Sequence, residues 1–577
     1  MKKSIAGLSV LFSLMSFDLM TAGSLPAARS QAGPKEPARA ATAKKIDEYL
    51  TSVTPFGFSG AILVAKGGEI LINKGYGLAI RDKGISNTSE TVFSVGSITK
   101  QFTAAGILKL EMMGKLSAED TLGKFLSDVP PAKQKISLHQ LMTHTSGIGG
   151  DVGGDYEIAE RDDTVKKILA QPLRSEPGTE FFYSNAGYSL LAAVVEKASG
   201  RKYEEFLSEY LFKPAGLLNT GYRLPHWEDK VIAHWYAGDT DNGVPLDKPY
   251  PYWNLLGNGG ILSTTDDMFK WNRALKDNEV LSAEAKKTLW TPVLNDYACG
   301  WDVIKSPHGT LIQHDGGSTL GNSADCRWFV EPDIFVMLFS NQSPDGSALI
   351  FKLKDKIEKI VFGGDVTAPP RLEPGDPREL AKFAGEYKLA SGSKFKVKTG
   401  AGGLFISAEG QDAIGLLMGA DLDNPKYAEL SGRTGAIVEK TVQGDYQALH
   451  QAFGGRVPLE RIQSRQKRMW QEMQDMFGPY KSFRVLGTIP FESDATTFVE
   501  FEFEKGTETI QYIWGPRGLL GIRVPAIPLQ CKFLPRTATE FIGYDIGLAR
   551  LAEVQFNPGE NGTVISLTMN GRTAGRT

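Results

Sequence analysis

The sequence predicts an α+β protein. An antiparallel sheet drawn from both ends of a large N-terminal region should pack against helices encoded between them, and a small β-domain interrupted by an α+β module should follow. Three observations lead there. Apolar, strand-like runs lie near residues 58–72 and return over residues 300–340, with helical periodicity in the stretch between them. A segment holding Pro369, Pro370, Pro374 and Pro377 then breaks the pattern, as a linker does. Beyond it, period-two patterning stands on both sides of a helical stretch, as in a β-domain split by an insertion.

Taken in order, Lys2 and Lys3 precede an apolar run from Ile5 to Phe17 and small residues at Thr21, Ala22 and Gly23. This reads as a secretory signal peptide over residues 1–23, because the run is shorter than the roughly 20 residues a membrane span needs. A flexible lead, 24–40, follows. A helix carrying Ile46, Tyr49 and Leu50 leads into an apolar strand, Phe58 to Ala65, which Gly67-Gly68 turns back into a second strand at Ile70-Leu71-Ile72. Phe102, Ala105, Ile107, Leu108, Leu110 and Met113 recur at helical spacing, so a helix is predicted from Ser97 to Leu116, with Gly114 as its stop signal. Further helices are expected at Ser137–Thr143, Thr164–Ala170, Leu190–Ala198, Tyr203–Leu211 and Asp266–Leu275. Strands are expected at Gly300–Val303, Thr310–Gln313, Asp325–Val330 and Phe335–Ser340.

The boundaries that follow are 41–363 for the first domain, 364–377 for the linker, 378–423 with 526–577 for the split β-domain, and 424–525 for the insert. In the insert, Leu459, Ile462, Met469, Met473 and Met476 share a helical face, and Val499, Phe501 and Phe503 alternate with Glu500, Glu502 and Glu504. That pattern resembles the cone-shaped fold of nuclear-transport-factor-2-like (NTF2-like) domains.

Composition narrows the function. The 577 residues exceed a single ordinary domain, and 41% hydrophobic with 23% charged residues suits a folded soluble chain. With 64 basic against 67 acidic residues and no basic run, the footprint of a nucleic-acid-binding protein is missing. Cys299, Cys326 and Cys531 are too few for a disulfide scaffold, and at most one pair can form. His139 and His144 lack the glutamate of a His-Glu-x-x-His zinc helix, so they are read as structural.

The chemistry rests on three elements in order. Ser97-Ile98-Thr99-Lys100 is a Ser-x-x-Lys at a helix start, where one turn brings the amine beside the hydroxyl. Alone it is a weak signal, since a capping serine with an exposed lysine looks the same. Tyr183-Ser184-Asn185 supplies a phenol that a nearby lysine would make easier to deprotonate, and an amide for a substrate. His314-Asp315-Gly316-Gly317 lies on a predicted strand, where glycine lets an acyl group approach the backbone.

With Leu141-Met142-Thr143-His144-Thr145-Ser146-Gly147, Pro177-Gly178 and Gly259-Gly260-Ile261-Leu262-Ser263-Thr264 in support, the region from Ala41 to Phe362 resembles the serine β-lactamase-related family: class C β-lactamases, DD-peptidases, D-aminopeptidases and esterases. The resemblance implies a β-lactamase/transpeptidase-like α/β sandwich. It implies Ser97 as nucleophile, Lys100 as its proton partner and Tyr183 as general base. Asn185, His314, Gly316 and Gly317 would contact substrate, and the backbone N–H groups of Ser97 and Gly317 would form an oxyanion hole. His314 stands where many β-lactamases have lysine, which argues against an efficient β-lactamase and fits the peptidase and esterase branches.

The expected function is therefore an exported, periplasmic or extracellular serine hydrolase acting on an amide or ester, of the DD-peptidase or D-aminopeptidase type. The alternatives are a carboxylesterase or a non-catalytic binding protein on the same scaffold. No cofactor or metal is required, and the expected partner is a small-molecule or peptide substrate, not nucleic acid or a retained membrane span.

Overall fold

The computed structural model describes residues 36–343, 349–419, 424–491, 494–523, 530–547 and 549–577. The signal-peptide expectation and most of the flexible lead lie outside them. No described helix is long and apolar enough to cross a membrane. The described residues divide into two compact units, residues 36–366 and 367–577.

The first unit is built on a six-stranded antiparallel sheet in the order Glu69–Tyr76, Gly60–Lys66, Ile334–Ser340, Ser323–Phe329, Gly309–Gly317, Asp302–Ser306. The strand near the beginning of the unit pairs with one near its end, Gly60 opposite Ser340 through Lys66 opposite Ile334. That is the closure expected from the sequence. Both central strands are apolar at nearly every position because both faces are covered. Helices Glu36–Val53 and Ile350–Val361 lie on one face. On the other, Thr99–Met112, Asn185–Ser199 and Thr265–Lys276 bury Phe102, Ile107, Leu191, Val194 and Trp271 in one continuous core.

Local chemistry sets where these helices begin. The Ser184 hydroxyl accepts from the Gly187 N–H at the start of Asn185–Ser199, and Gly200 ends that helix at φ 72°. Ser137 and Gln140 form a reciprocal capping box at Leu138–Met142. The helix expected from Ser97 begins at Thr99 instead. Gly96, at φ 56°, opens a 3-10 turn over Gly96–Ile98 that holds Ser97 just ahead of the α-helix. The far end falls short as well, at Met112, since Gly114 has φ 68°. All three cysteines are free and buried, so the one pair the sequence allowed does not form.

In the second unit, eight strands close into a barrel. Three come from Gly385–Glu409 and five from Gln530–Arg576. Between them stand helices Gln411–Met418, Pro425–Val442, Gln447–Ala452 and Leu459–Phe477, then a four-stranded antiparallel sheet over Tyr480–Arg523. Val499, Phe501 and Phe503 face these helices with Ile462 and Met473. Leu486, Ile489 and Phe498 instead join the barrel cluster with Ile414 and Leu417. The insert expected over 424–525 thus shares part of its host's core, because a sheet has two faces and only one is covered by the insert's own helices.

Candidate active site

The three motif elements meet in the first unit. The Thr99–Met112 helix runs into its sheet-facing core, so Lys100, in its first turn, is fully buried. Its Nζ donates to Ser97 Oγ at 3.1 Å, to Asn185 Oδ1 at 2.8 Å and to the Asn258 carbonyl at 2.8 Å. One turn of backbone thus sets the amine on the hydroxyl, and the helix at Asn185–Ser199 supplies the second partner. The Asn258 carbonyl comes from the loop just before Gly259-Gly260, a contact that no local sequence pattern encodes.

Burial decides the protonation of this amine. Removal from water lowers the Lys100 pKa to about 7, although Asp151, Asp155 and Asp315 all favour its charged form. Tyr183 lies under the same amine, 4.7 Å from Nζ to the ring centre, beside Ser97. Its pKa moves opposite to the sequence expectation. Burial raises it strongly, with Asp315, Asp302 and Asp151 adding to the rise, and the nearby Ser97 hydroxyl does not offset them. Lys100 is partly uncharged near neutral pH, so Tyr183 is not held as a phenolate in the resting enzyme. Tyr183 is a phenol at pH 7, and Lys100 is the group that can take a proton.

His314 is buried, 3% exposed, and both ring nitrogens are occupied. Nδ1 lies 2.6 Å from the Asp315 carbonyl, which can only accept, so Nδ1 carries the hydrogen. Nε2 lies 2.9 Å from the Tyr297 hydroxyl and accepts from it. Burial and Lys100 lower the His314 pKa to about 3, so the ring is neutral throughout the physiological range. His314 is therefore not the cation that a lysine at this position would be, and it offers a substrate carboxylate no cationic clamp.

Gly316 and Gly317 pass directly over the nucleophile turn. A Cβ on Gly316 would stand 2.3 Å from the Val95 carbonyl and 2.6 Å from the Ser97 nitrogen, and one on Gly96 would stand 2.5 Å from the Gly317 nitrogen. Only glycine permits this approach, which brings the backbone of Gly316 and Gly317 against that of Gly96 and Ser97.

Three residues with a part in this arrangement were not assigned one from sequence. Tyr297 holds His314, and Asp151 Oδ1 accepts from Asn185 Nδ2 at 2.9 Å. His144, read as structural, lies against Tyr183 with ring centres 4.2 Å apart. The only sequence signal for His144 was its place in the Leu141–Gly147 stretch. Among the described residues, no group of His, Cys, Asp or Glu is arranged to hold a metal ion.

The Beta-lactamase family model matches residues 56–353, a span that holds every residue above. Penicillin-binding protein 4* of Bacillus subtilis (strain 168) is 30% identical over 393 residues, covering 61% of this chain and 84% of that protein. A putative penicillin-binding protein PbpX of the same organism is 34% identical over 299 residues, 49% of this chain and 75% of that one. Among solved structures, an octameric penicillin-binding protein homologue from Pyrococcus abyssi aligns over 94% of this chain and all of its own, with TM-score 0.50 and 21% identity, a likeness of fold. A serine on a buried amine with a phenol beside them, on a chain that this family model matches over more than half its length, identifies a member of the Beta-lactamase family of serine hydrolases.

Proposed function

We propose that the protein is an exported serine hydrolase that works through an acyl-serine intermediate at Ser97 on an amide or ester whose acyl part carries an amino group, as in a D-amino-acid peptide or amide. The observation that carries the chemistry is the 3.1 Å contact between Ser97 Oγ and an amine dried to a pKa of about 7. Neutral Lys100 takes the Ser97 proton as Oγ attacks the carbonyl carbon. The tetrahedral oxygen sits against the Ser97 and Gly317 N–H groups, and the phenol of Tyr183 passes a proton to the departing amine or alcohol. The Tyr183 oxygen then receives a proton from the water that attacks the acyl carbon, and Lys100 returns to Ser97 Oγ the proton it took as the acyl–oxygen bond breaks. Asn185, fixed between Lys100 and Asp151, is placed to bind the substrate amide.

The substrate class follows from charge. The groups whose fields bear on Lys100 and Tyr183 are carboxylates: Asp151, Asp155, Asp302 and Asp315. Asp155 is exposed, yet the protein around it and Asp151 raise its pKa. Burial pushes Asp302 up to about 7 and Asp155 and Asp315 in the same direction, so part of this charge is held as neutral acid. With His314 also neutral, the charge that remains on these carboxylates favours an ammonium group over a carboxylate. This supports the aminopeptidase side of the family over the DD-peptidase side.

Purified protein given D-amino acid amides, the same amides N-acetylated, and D-alanyl-D-alanine peptides with free carboxylates should cleave the first group best. Equal or better turnover of the N-acetylated amides would remove the amine requirement. Export is supported by the Lys2-Lys3 start and the apolar run behind it. Sequencing of the mature N-terminus from a periplasmic or culture fraction checks it.

A further inference from the structure

Tyr183 has to hold its phenol on Ser97 while being one residue in an irregular segment, and a segment of that kind needs an external frame. The loop Thr143–Gly149 provides it. The Gly178 N–H donates to the Thr145 carbonyl at 2.7 Å and the Phe182 N–H to the His144 carbonyl at 2.8 Å. The Ser184 N–H donates to His144 Nδ1 at 3.0 Å, and the Ser184 hydroxyl to the Gly149 carbonyl at 2.5 Å. Both peptide neighbours of Tyr183 are thus tied to one residue, His144, whose ring also packs on the Tyr183 ring at 4.2 Å. Ser184 caps the helix that begins with Asn185, so the same contact fixes where that amide points.

His144 holds this position under constraint. It is 1% exposed and adopts φ 57°, a left-handed conformation that a non-glycine residue rarely takes. Its Nδ1 accepts, so the hydrogen sits on Nε2, which is buried without a hydrogen-bond partner among Phe181, Tyr183, Tyr188 and Tyr297. A left-handed backbone together with an orphaned N–H is the kind of strain that clusters at functional sites.

We infer that His144 is a positioning residue of the hydrolase, which places Tyr183 and Asn185 through its Nδ1 and carbonyl acceptors. The inference rests on the reading of Tyr183 as the proton carrier above. It also requires a neutral ring, since a proton on Nδ1 would turn the acceptor into a donor facing the Ser184 N–H. Burial, Lys100 and His314 all oppose that protonation.

Asparagine is the informative replacement. Its Oδ1 stands as many bonds from Cα as Nδ1 does, and it tolerates left-handed φ. Full-length His144→Asn, His144→Ala and His144→Phe are compared with wild type and Tyr183→Phe by steady-state hydrolysis of a nitrophenyl ester, by single-turnover acylation and by thermal melting. His144→Asn should keep kcat within about threefold of wild type. His144→Ala and His144→Phe should lose about 100-fold in kcat, the scale of a misplacement of about 1 Å, with KM moved less than about threefold.

Wild-type kcat in the alanine or phenylalanine variant would overturn the inference. So would an asparagine variant that melts cooperatively yet is as slow as alanine, or a loss confined to KM. Failure of all three variants to fold would assign His144 to the core and overturn it equally. Full activity in Tyr183→Phe would instead remove the parent reading of Tyr183, an outcome told apart by that variant alone.

Discussion

At the scale of single residues the site works because burial sets protonation. A Lys100 pKa lowered to about 7 means that the amine gains base character as pH rises, so the acylation rate should climb through an apparent pKa near 7 and level off above it. Stopped-flow acylation across that range measures it, and a rate flat from about pH 5 to 9 would remove Lys100 as base. The same shift is a burden on stability. Folded Lys100 binds fewer protons than unfolded Lys100 between about 7 and 10.5, so its unfavourable contribution is full below 7 and fades toward 10.5. Lys100→Met should therefore be inactive but more stable by a few kcal/mol at pH 6, the gain shrinking as pH rises, as urea melts at two pH values would show.

His314 follows the same logic with the opposite outcome. Its ring resonances should show no inflection from about pH 5 to 8, and one near the ordinary 6.5 would restore a cationic clamp. The identity of Ser97, Lys100 and Tyr183 was legible because their spacing is local and their order is distinctive. The rise at Tyr183 and the neutrality of His314 were not, because both come first from burial by distant segments, with carboxylates such as Asp302 adding to it at Tyr183 and Lys100 at His314.

At the scale of elements, the closure of the sheet by Gly60–Lys66 and Ile334–Ser340 could be read from two apolar runs at the ends of one region. Helix starts were less legible. Gly96 delays the catalytic helix to Thr99, a backbone effect without a periodic signature. The glycines of the Gly309–Gly317 strand are where element and chemistry meet. Gly316→Ala would drive a Cβ against Val95 and Ser97 backbone atoms and push the strand off the nucleophile turn. It should lower kcat by about 100-fold or more, read against an unchanged far-ultraviolet spectrum.

In the second unit, the alternation of Val499, Phe501 and Phe503 revealed one face of the insert's sheet. The other face was hidden, because Leu486, Ile489 and Phe498 find their partners across the barrel junction, far along the chain. Phe498→Ala should consequently destabilise that unit by about 3–5 kcal/mol in a denaturant melt, and excision of residues 424–523 should leave Ile414 and Leu417 uncovered and the remainder prone to aggregate.

At the scale of the whole molecule, the chain is two compact units that meet at residues 366 and 367, within a stretch the sequence marked by its prolines. Every catalytic candidate lies in the first unit, so a chain ending near Asp365 should fold and hydrolyse small esters at close to the full-length rate; loss of that activity would tie the second unit to catalysis. The whole account stands on covalent chemistry at a single hydroxyl. Intact mass measurement after treatment with a fluorophosphonate or an activated ester tests it most directly. The prediction is one adduct per chain, located by fragmentation at Ser97, and none on Ser97→Ala; an adduct of equal extent on the alanine variant would contradict it.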